Sequence, residues 1–218
     1  MFSFHLSAEQ QEFRDTVKDF VKREVKPVAN HPDRLQAEDP HFVPAILEQA
    51  SQMGLRTLAL SEDLGGAGAD CLTSCVLAEE LAAGDIGFAA TLARTSELGH
   101  VLFDQAMSEA QRKQFLSKFL EDDHFHLAYA GSDIECDDGG WNYHRAEKSE
   151  VEVPVVATKQ GDDLVLNGTY VFVANAPLAK LIAVQVKTDS TALGLAGVQI
   201  VLVPAGTPGM SVKEPAKV

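Results

Sequence analysis

The sequence predicts an α+β chain: an all-α helical bundle followed by a β-domain of barrel or sandwich type, with the change near residue 121. Apolar residues recur at helical spacing between capping signals as far as Leu120. From His124 onward the pattern becomes short β-branched and aromatic runs punctuated by Gly, Asp and Asn, the mark of strands. Helices come first and strands after, without alternation, and this order excludes a doubly wound βαβ architecture.

The first helix opens at Ser7, with Gln10 completing a capping box, and carries Phe13, Val17, Phe20 and Val21 on one face until Pro27 and Pro32 close the segment. A second spans about 41–53 and stops at Gly54, a C-cap glycine. After the turn-rich SEDLGGAGAD, Leu72, Val76, Leu77 and Leu81 define a third that ends at Gly84-Asp85. A fourth covers about 86–104, and Ser108 with Gln111 caps the last, through Phe115, Phe119 and Leu120. The strands follow: HFHLAYA, then VEVPVVATK and DDLVLNG joined as a hairpin through QGD, then TYVFVAN after Asn167-Gly168, then LIAVQVK and VQIVLVP. The expected domains are therefore 1–121, helical, and 122–218, a β-domain with a polar insertion at 134–150.

At 45% hydrophobic and 23% charged, the composition is that of a soluble globular chain. Its apolar runs fall short of the ~20 residues needed to span a bilayer. The start MFSFHLSAEQ lacks the basic and apolar stretches of a signal peptide, so a cytoplasmic protein without membrane attachment is expected. Eighteen basic against 32 acidic residues, a net charge of −14, argue against nucleic acid as a partner. The acidity is concentrated: residues 121–152 hold 10 acidic and 2 basic side chains. Such a stretch would repel nearby phosphates, so the segment from Cys136 to Glu150 is expected to project into solvent or toward a partner subunit.

Three cysteines, Cys71, Cys75 and Cys136, make no even disulfide framework and are read as reduced thiols, with Cys71 and Cys75 four apart on a helix. His124 and His126, with Asp122 and Asp123 nearby, form the one metal-like cluster. They read more simply as two histidines on one face of a strand, and no metal is assigned. No G-x-G-x-x-G follows a strand, and neither G-x-x-x-x-G-K-[ST] nor G-x-S-x-G occurs. LGGAGAD lies between two helices and reads as a tight turn.

Six segments in order resemble the acyl-CoA dehydrogenase family across essentially the whole chain. LSAEQQEFRDTVKDFVKREVKPVA is similar to that family's first helix, and LSEDLGGAGAD to its P-E-x-x-G-G-x-G turn, with Ser61 where Pro is usual. CVLAEELAAGDIGFAATL and MSEAQRKQFLSKFLEDD resemble the helices that follow. LVLNGTYVFVANA resembles Y-x-L-N-G-x-K-x-x-I-T-N-A, and GVQIVLVPAGTPGMSV resembles G-I-x-x-F-L-V-x-x-x-x-P-G.

The resemblance implies an oxidoreductase on CH–CH groups in fatty acid metabolism: α,β-desaturation of an acyl-CoA thioester, with a carboxylate taking a Cα proton and FAD accepting the hydride. It implies electron-transfer flavoprotein as electron acceptor and a homo- or hetero-oligomer. It also implies that the base lies in a C-terminal helical domain, or on a helix just before it, beyond VKEPAKV, so no residue here is assigned as catalytic. In the family's T-E-P-x-A-G-S-D segment, the register that puts Tyr129 on the aromatic position puts Ser132 at the Thr and Asp133 at the Glu. A second register lays AGSD on A-G-S-D and makes Ser132 the serine that contacts acyl-CoA. Tyr129, Gly131 and Ser132 are thus expected at the flavin, with Ser132 also at the substrate. In the second flavin segment Phe172 falls on the aromatic that packs against the isoalloxazine, Val173 follows, and Ala174 replaces the Thr whose hydroxyl meets flavin N5. Residues around Phe88 to Thr95 are implied in cavity depth. Two other readings share the resemblance: a flavin-dependent oxidase or hydroxylase, and a non-catalytic dehydrogenase-like subunit.

Overall fold

The structure, a computed structural model, describes residues 5–30, 44–131, 153–189 and 197–213. The chain is α+β and divides into two compact units, 1–126 with 213–218, and 127–212.

In the helical unit, α1 (Ala8–Phe20) begins at the expected capping box. Ser7 Oγ accepts from Gln10 N–H at 3.1 Å, and Gln10 Oε1 accepts from Ser7 N–H at 3.0 Å. It runs on through a π turn, Val21–Val25, into α2 (Lys26–Ala29). α3 (Pro44–Gln52) gives way to short 3-10 turns, Leu55–Thr57 and Glu62–Leu64. α4 (Cys71–Ala82) and α5 (Ile86–Gly99) are capped by Asp70 and Asp85, whose carboxylates accept from Thr73 and Phe88 N–H. α5 widens into a second π turn, His100–Ala106, before Ser108 caps α6 (Glu109–Glu121) with another reciprocal box. The buried stripe Val17, Phe20, Val21 and Val25 meets Ile46, Leu47, Leu77, Leu81, Phe88 and Leu92 in one core. Phe88 and Leu92, in the stretch that the resemblance implies in cavity depth, belong to this core.

Around the end of α6 a second aromatic group forms: Phe103 stacks on Phe119 with ring centroids 4.9 Å apart, and Phe125 meets Phe119 edge-on at 5.9 Å. Arg56, 1% exposed, lies with its guanidinium 4.6 Å from the Phe119 ring centre. It donates to the carbonyls of Phe119, Phe125 and Leu120. A cation thereby closes the negative end of α6 and satisfies carbonyls that the helix itself leaves open. Burial pushes the Arg56 pKa down, and Asp123 and Asp122 act in the opposite sense.

Apart from His126, which opens β1 and is counted with the helical unit, the second unit holds a five-stranded mixed sheet: β1 (His126–Ala130), β2 (Val156–Gln160), β3 (Asp163–Asn167), β4 (Ala179–Lys187) and β5 (Val198–Pro204). β4 is its hub. β5 pairs antiparallel along β4 from Leu181↔Pro204 to Lys187↔Val198, β1 is a further neighbour, and β2 joins in parallel at Val156↔Lys187. β2 and β3 form the hairpin, turning at Gly161, from Val156↔Asn167 to Gln160↔Asp163.

Three expectations are corrected here. TYVFVAN is not a strand: the chain bends at residues 171–172 and turns from 174, with Phe172 at φ 56° and Asn175 at φ 64°, left-handed values that no strand can hold. β2 starts at Val156, later than the pattern VEVPVVATK implied. His124 and His126 do not share a strand face, because β1 starts at His126 while His124 lies in the preceding turn, half exposed and 3.8 Å from Glu48.

Candidate functional site

The expected site residues fall on the C-terminal end of β1 and on the segment between β3 and β4. On β1, Ala128 and Ala130 are buried while Tyr129, 38% exposed, points the other way. A Cβ at Gly131 would come within 2.3 Å of Tyr129 Cζ and Oη, so the phenol ring lies across a space that only glycine leaves open. Ser132 and the segment from Cys136 to Glu150 lie outside the described residues.

The β3–β4 connection starts at Gly168, φ 146°, where a Cβ would stand 2.1 Å from the Pro154 carbonyl oxygen. Three residues then pin the chain to the sheet. Tyr170 Oη donates to Gln185 O at 2.8 Å. Val173 packs against Ala128, Ala130, Ala179 and Ile182. Asn175 Nδ2 donates to Leu127 O at 3.3 Å, and Asn175 O accepts from Leu178 and Ala179 N–H. Val173 and Asn175 therefore bring the 172–174 segment beside β1.

Between these anchors the remaining side chains turn outward. Val171 is 71% exposed, Phe172 is 100% exposed, and Ala174 is exposed. Phe172 is thus no core aromatic. An aromatic residue held in the left-handed region costs on the order of 1–3 kcal/mol, and its whole ring meets solvent. Tyr170 and Asn175, which hold this geometry, were not singled out from sequence. Asparagine's tolerance of left-handed φ is the signal that marks Asn175; the Tyr170 contact has no local signal.

Other groups that resemble catalytic sets have structural explanations. Ser61 Oγ donates to Asp104 Oδ1 at 2.6 Å, and His100 Nδ1 donates to Asp104 Oδ2 at 2.7 Å. The Gln105 amide donates to His100 Nε2 at 2.8 Å. Serine and histidine both address the carboxylate, and both ring nitrogens are engaged, so no base faces Ser61. Burial alone would raise the Asp104 pKa, but the hydrogen bonds from Ser61 and His100 hold it below the usual carboxylate range. His126, 3% exposed, sets Nδ1 3.2 Å from Thr95 Oγ1. That hydroxyl already donates to Thr91 O, so it accepts from Nδ1–H and assigns the neutral tautomer. Burial pushes the His126 pKa down to about 4, aided by Arg56 and His124 and opposed by Asp122. Among the described residues no three His, Cys, Asp or Glu side chains group to hold a metal ion, and no helix is long and apolar enough to cross a membrane.

Comparison with known proteins gives this geometry its context. The chain is 26% identical over 215 residues to the probable acyl-CoA dehydrogenase YngJ of Bacillus subtilis, covering 98% of this chain and 52% of that one. It is 29% identical over 212 residues to the human mitochondrial short-chain specific acyl-CoA dehydrogenase, covering 96% and 47%. The chain thus spans about half the length of the curated relatives it matches. Butyryl-CoA dehydrogenase from Megasphaera elsdenii superposes with a TM-score of 0.72 at 25% identity, over 95% of this chain and 51% of that one. PigA with FAD and proline shares the fold at a TM-score of 0.77 and 22% identity, over 98% and 52%. The model of the acyl-CoA dehydrogenase N-terminal domain matches residues 7–123, more than half of the 218, and the chain belongs to the acyl-CoA dehydrogenase family.

Proposed function

We propose that this chain contributes part of a flavin site in an acyl-CoA dehydrogenase-like oxidoreductase that desaturates an acyl-CoA thioester at its α,β carbons. The observation that carries the reading is Phe172: fully exposed, left-handed at φ 56°, and held there by Val173 and Asn175 on either side. A strained, uncovered aromatic beside exposed Val171 is an apolar face shaped to receive a planar ring. FAD, when bound, supplies the hydride acceptor. Phe172 packs on the ring system, Val173 fixes its position from below, and Ala174 offers a backbone N–H where a hydroxyl is expected. Tyr129 on β1 and Gly131 just after it form the neighbouring surface, and Ser132 supplies a hydroxyl to flavin or substrate. We assign no carboxylate of this chain as the base and place that group in the part of the enzyme that the relatives carry beyond the aligned half. Electron-transfer flavoprotein serves as acceptor, within an oligomer.

The test is FAD titration of the purified protein, followed by flavin fluorescence and absorbance. Saturable binding is expected, with Phe172→Ala weakening it roughly twofold to thirteenfold, the 0.5–1.5 kcal/mol typical of an aromatic pair beyond burial. No uptake of FAD, or identical affinity in the variant, would overturn the assignment. Ala174 favours a second reading, because a site without a hydroxyl at flavin N5 polarises that atom differently. Rapid oxygen consumption with peroxide release, in place of anaerobic bleaching by an acyl-CoA, would select a flavin-dependent oxidase.

A further inference from the structure

α4 carries two thiols that the flavin site does not use. Cys71 opens the helix, Cys75 follows one turn later, and both are exposed. Residues four apart on a helix present Cβ atoms about 5–6 Å apart on one face. Cys71, one turn away, is the main influence that pushes the Cys75 pKa up.

The turn that bears them is held on both sides. Asp70 Oδ1 accepts from Thr73 N–H at 2.8 Å, and Thr73 Oγ1 accepts from Gln10 Nε2 at 3.0 Å, which ties the turn to α1. A disulfide needs Cβ atoms roughly 3.5–4.5 Å apart, closer than an intact helical turn places them. A tetrahedral zinc site needs four ligands, and among the described residues no third ligand side chain joins the pair. An atom inserted between the two sulfurs removes the mismatch, since metal–sulfur bonds of about 2.3 Å on each side lengthen the bridge without unwinding the helix.

We propose that Cys71 and Cys75 form a two-thiol site that chelates a single thiophilic centre, of the class of monosubstituted trivalent arsenicals. With an arsine oxide, two arsenic–sulfur bonds form and the arsenic–oxygen bond breaks. The oxygen leaves as water with the two thiol protons, and arsenic keeps its oxidation state, so no oxidant or reductant takes part. Chelation makes the second bond intramolecular, which raises affinity by roughly 10²–10⁴ over a single thiol.

The experiment titrates the full chain with phenylarsine oxide, counts free thiols with a chromogenic disulfide reagent and reads adduct mass. One equivalent is expected to remove two thiols from the wild type and from Cys136→Ser, to resist excess monothiol and to be released by a dithiol. Cys71→Ser and Cys75→Ser are each expected to lose at least 100-fold in affinity, with circular dichroism confirming that they remain helical. Tight binding that survives either of those variants, or that fails in Cys136→Ser, would overturn the assignment. So would reversal of the wild-type adduct by monothiol. A Cys71–Cys75 disulfide formed by peroxide with no loss of helical signal would overturn the geometric exclusion on which it stands.

Discussion

His126 sets an acid limit on the stability of the helical unit. Its folded pKa of about 4 compares with about 6.5 for the unfolded residue. Below pH ~6.5 the unfolded chain takes up a proton that the buried ring refuses, so unfolding is favoured as pH falls. The contribution is complete above pH ~6.5, declines between ~6.5 and about 4, and is flat below, where both states are protonated. A difference of about 2.5 pKa units at 1.36 kcal/mol each corresponds to roughly 3 kcal/mol across the window. Urea unfolding followed by far-ultraviolet circular dichroism, in half-unit pH steps, measures it in the wild type and in His126→Gln, which cannot titrate. The stability advantage of the wild type over the variant is expected to shrink by roughly 3 kcal/mol between pH 7 and pH 4. Subtraction removes carboxylates that titrate alike in both. A difference that stays constant within about 1 kcal/mol, or an imidazole NMR titration with a midpoint near 6.5, would refute the buried neutral ring.

Arg56→Met leaves the Phe119 and Phe125 carbonyls without their donor, a loss of about 1.5–3 kcal/mol for each bond to a charged group, partly offset by relief of the Arg56 Nε that lacks a partner. A net destabilisation near 3 kcal/mol is expected in the same unfolding assay, with Arg56→Lys intermediate. Phe172→Asn relieves left-handed strain in a residue that buries nothing. Thermal denaturation is expected to show a gain of about 0.5–1 kcal/mol, while FAD titration shows weaker uptake. Gly168→Ala forces a Cβ to 2.1 Å from Pro154 O at φ 146°. Calorimetry is expected to register a loss of about 3 kcal/mol or more, from strain and displaced backbone together.

The helical half was legible because its signals are local. Ser7 with Gln10, and Ser108 with Gln111, each place donor and acceptor within three residues, and the structure forms both boxes. The apolar stripe through Val17, Phe20 and Val21 likewise encodes its own buried face. The alternation in TYVFVAN misled because exposed β-branched and aromatic residues have the same period whether they line a strand or stand out from a turn. What decides between the two is Asn175 bonding to Leu127, 48 positions earlier, and Tyr170 bonding to Gln185. Nothing in a short window records such partners. Arg56 belongs to the same class: its three acceptors lie 63 to 69 residues away, and only the folded chain shows that this cation serves the end of α6. Phe172 could be matched to a flavin-packing position by resemblance, whereas its complete exposure and left-handed backbone emerge only in three dimensions.

The π turn at His100–Ala106 has a consequence for how relatives of this chain align. A π turn bonds residue i to i+5 instead of i+4, so it accommodates an additional residue per turn while the helix axis continues. Here the widened turn lets one imidazole reach Asp104, four residues on, with one nitrogen and Gln105, five residues on, with the other. Family members that are one residue shorter at this point can close an ordinary α turn and still deliver the equivalent of Phe103 to the aromatic group around Phe119. They would lose the double grip on the histidine. A single-residue gap inside this heptapeptide therefore marks a local change of helical winding in the relative that bears it, and the helices on either side keep their faces.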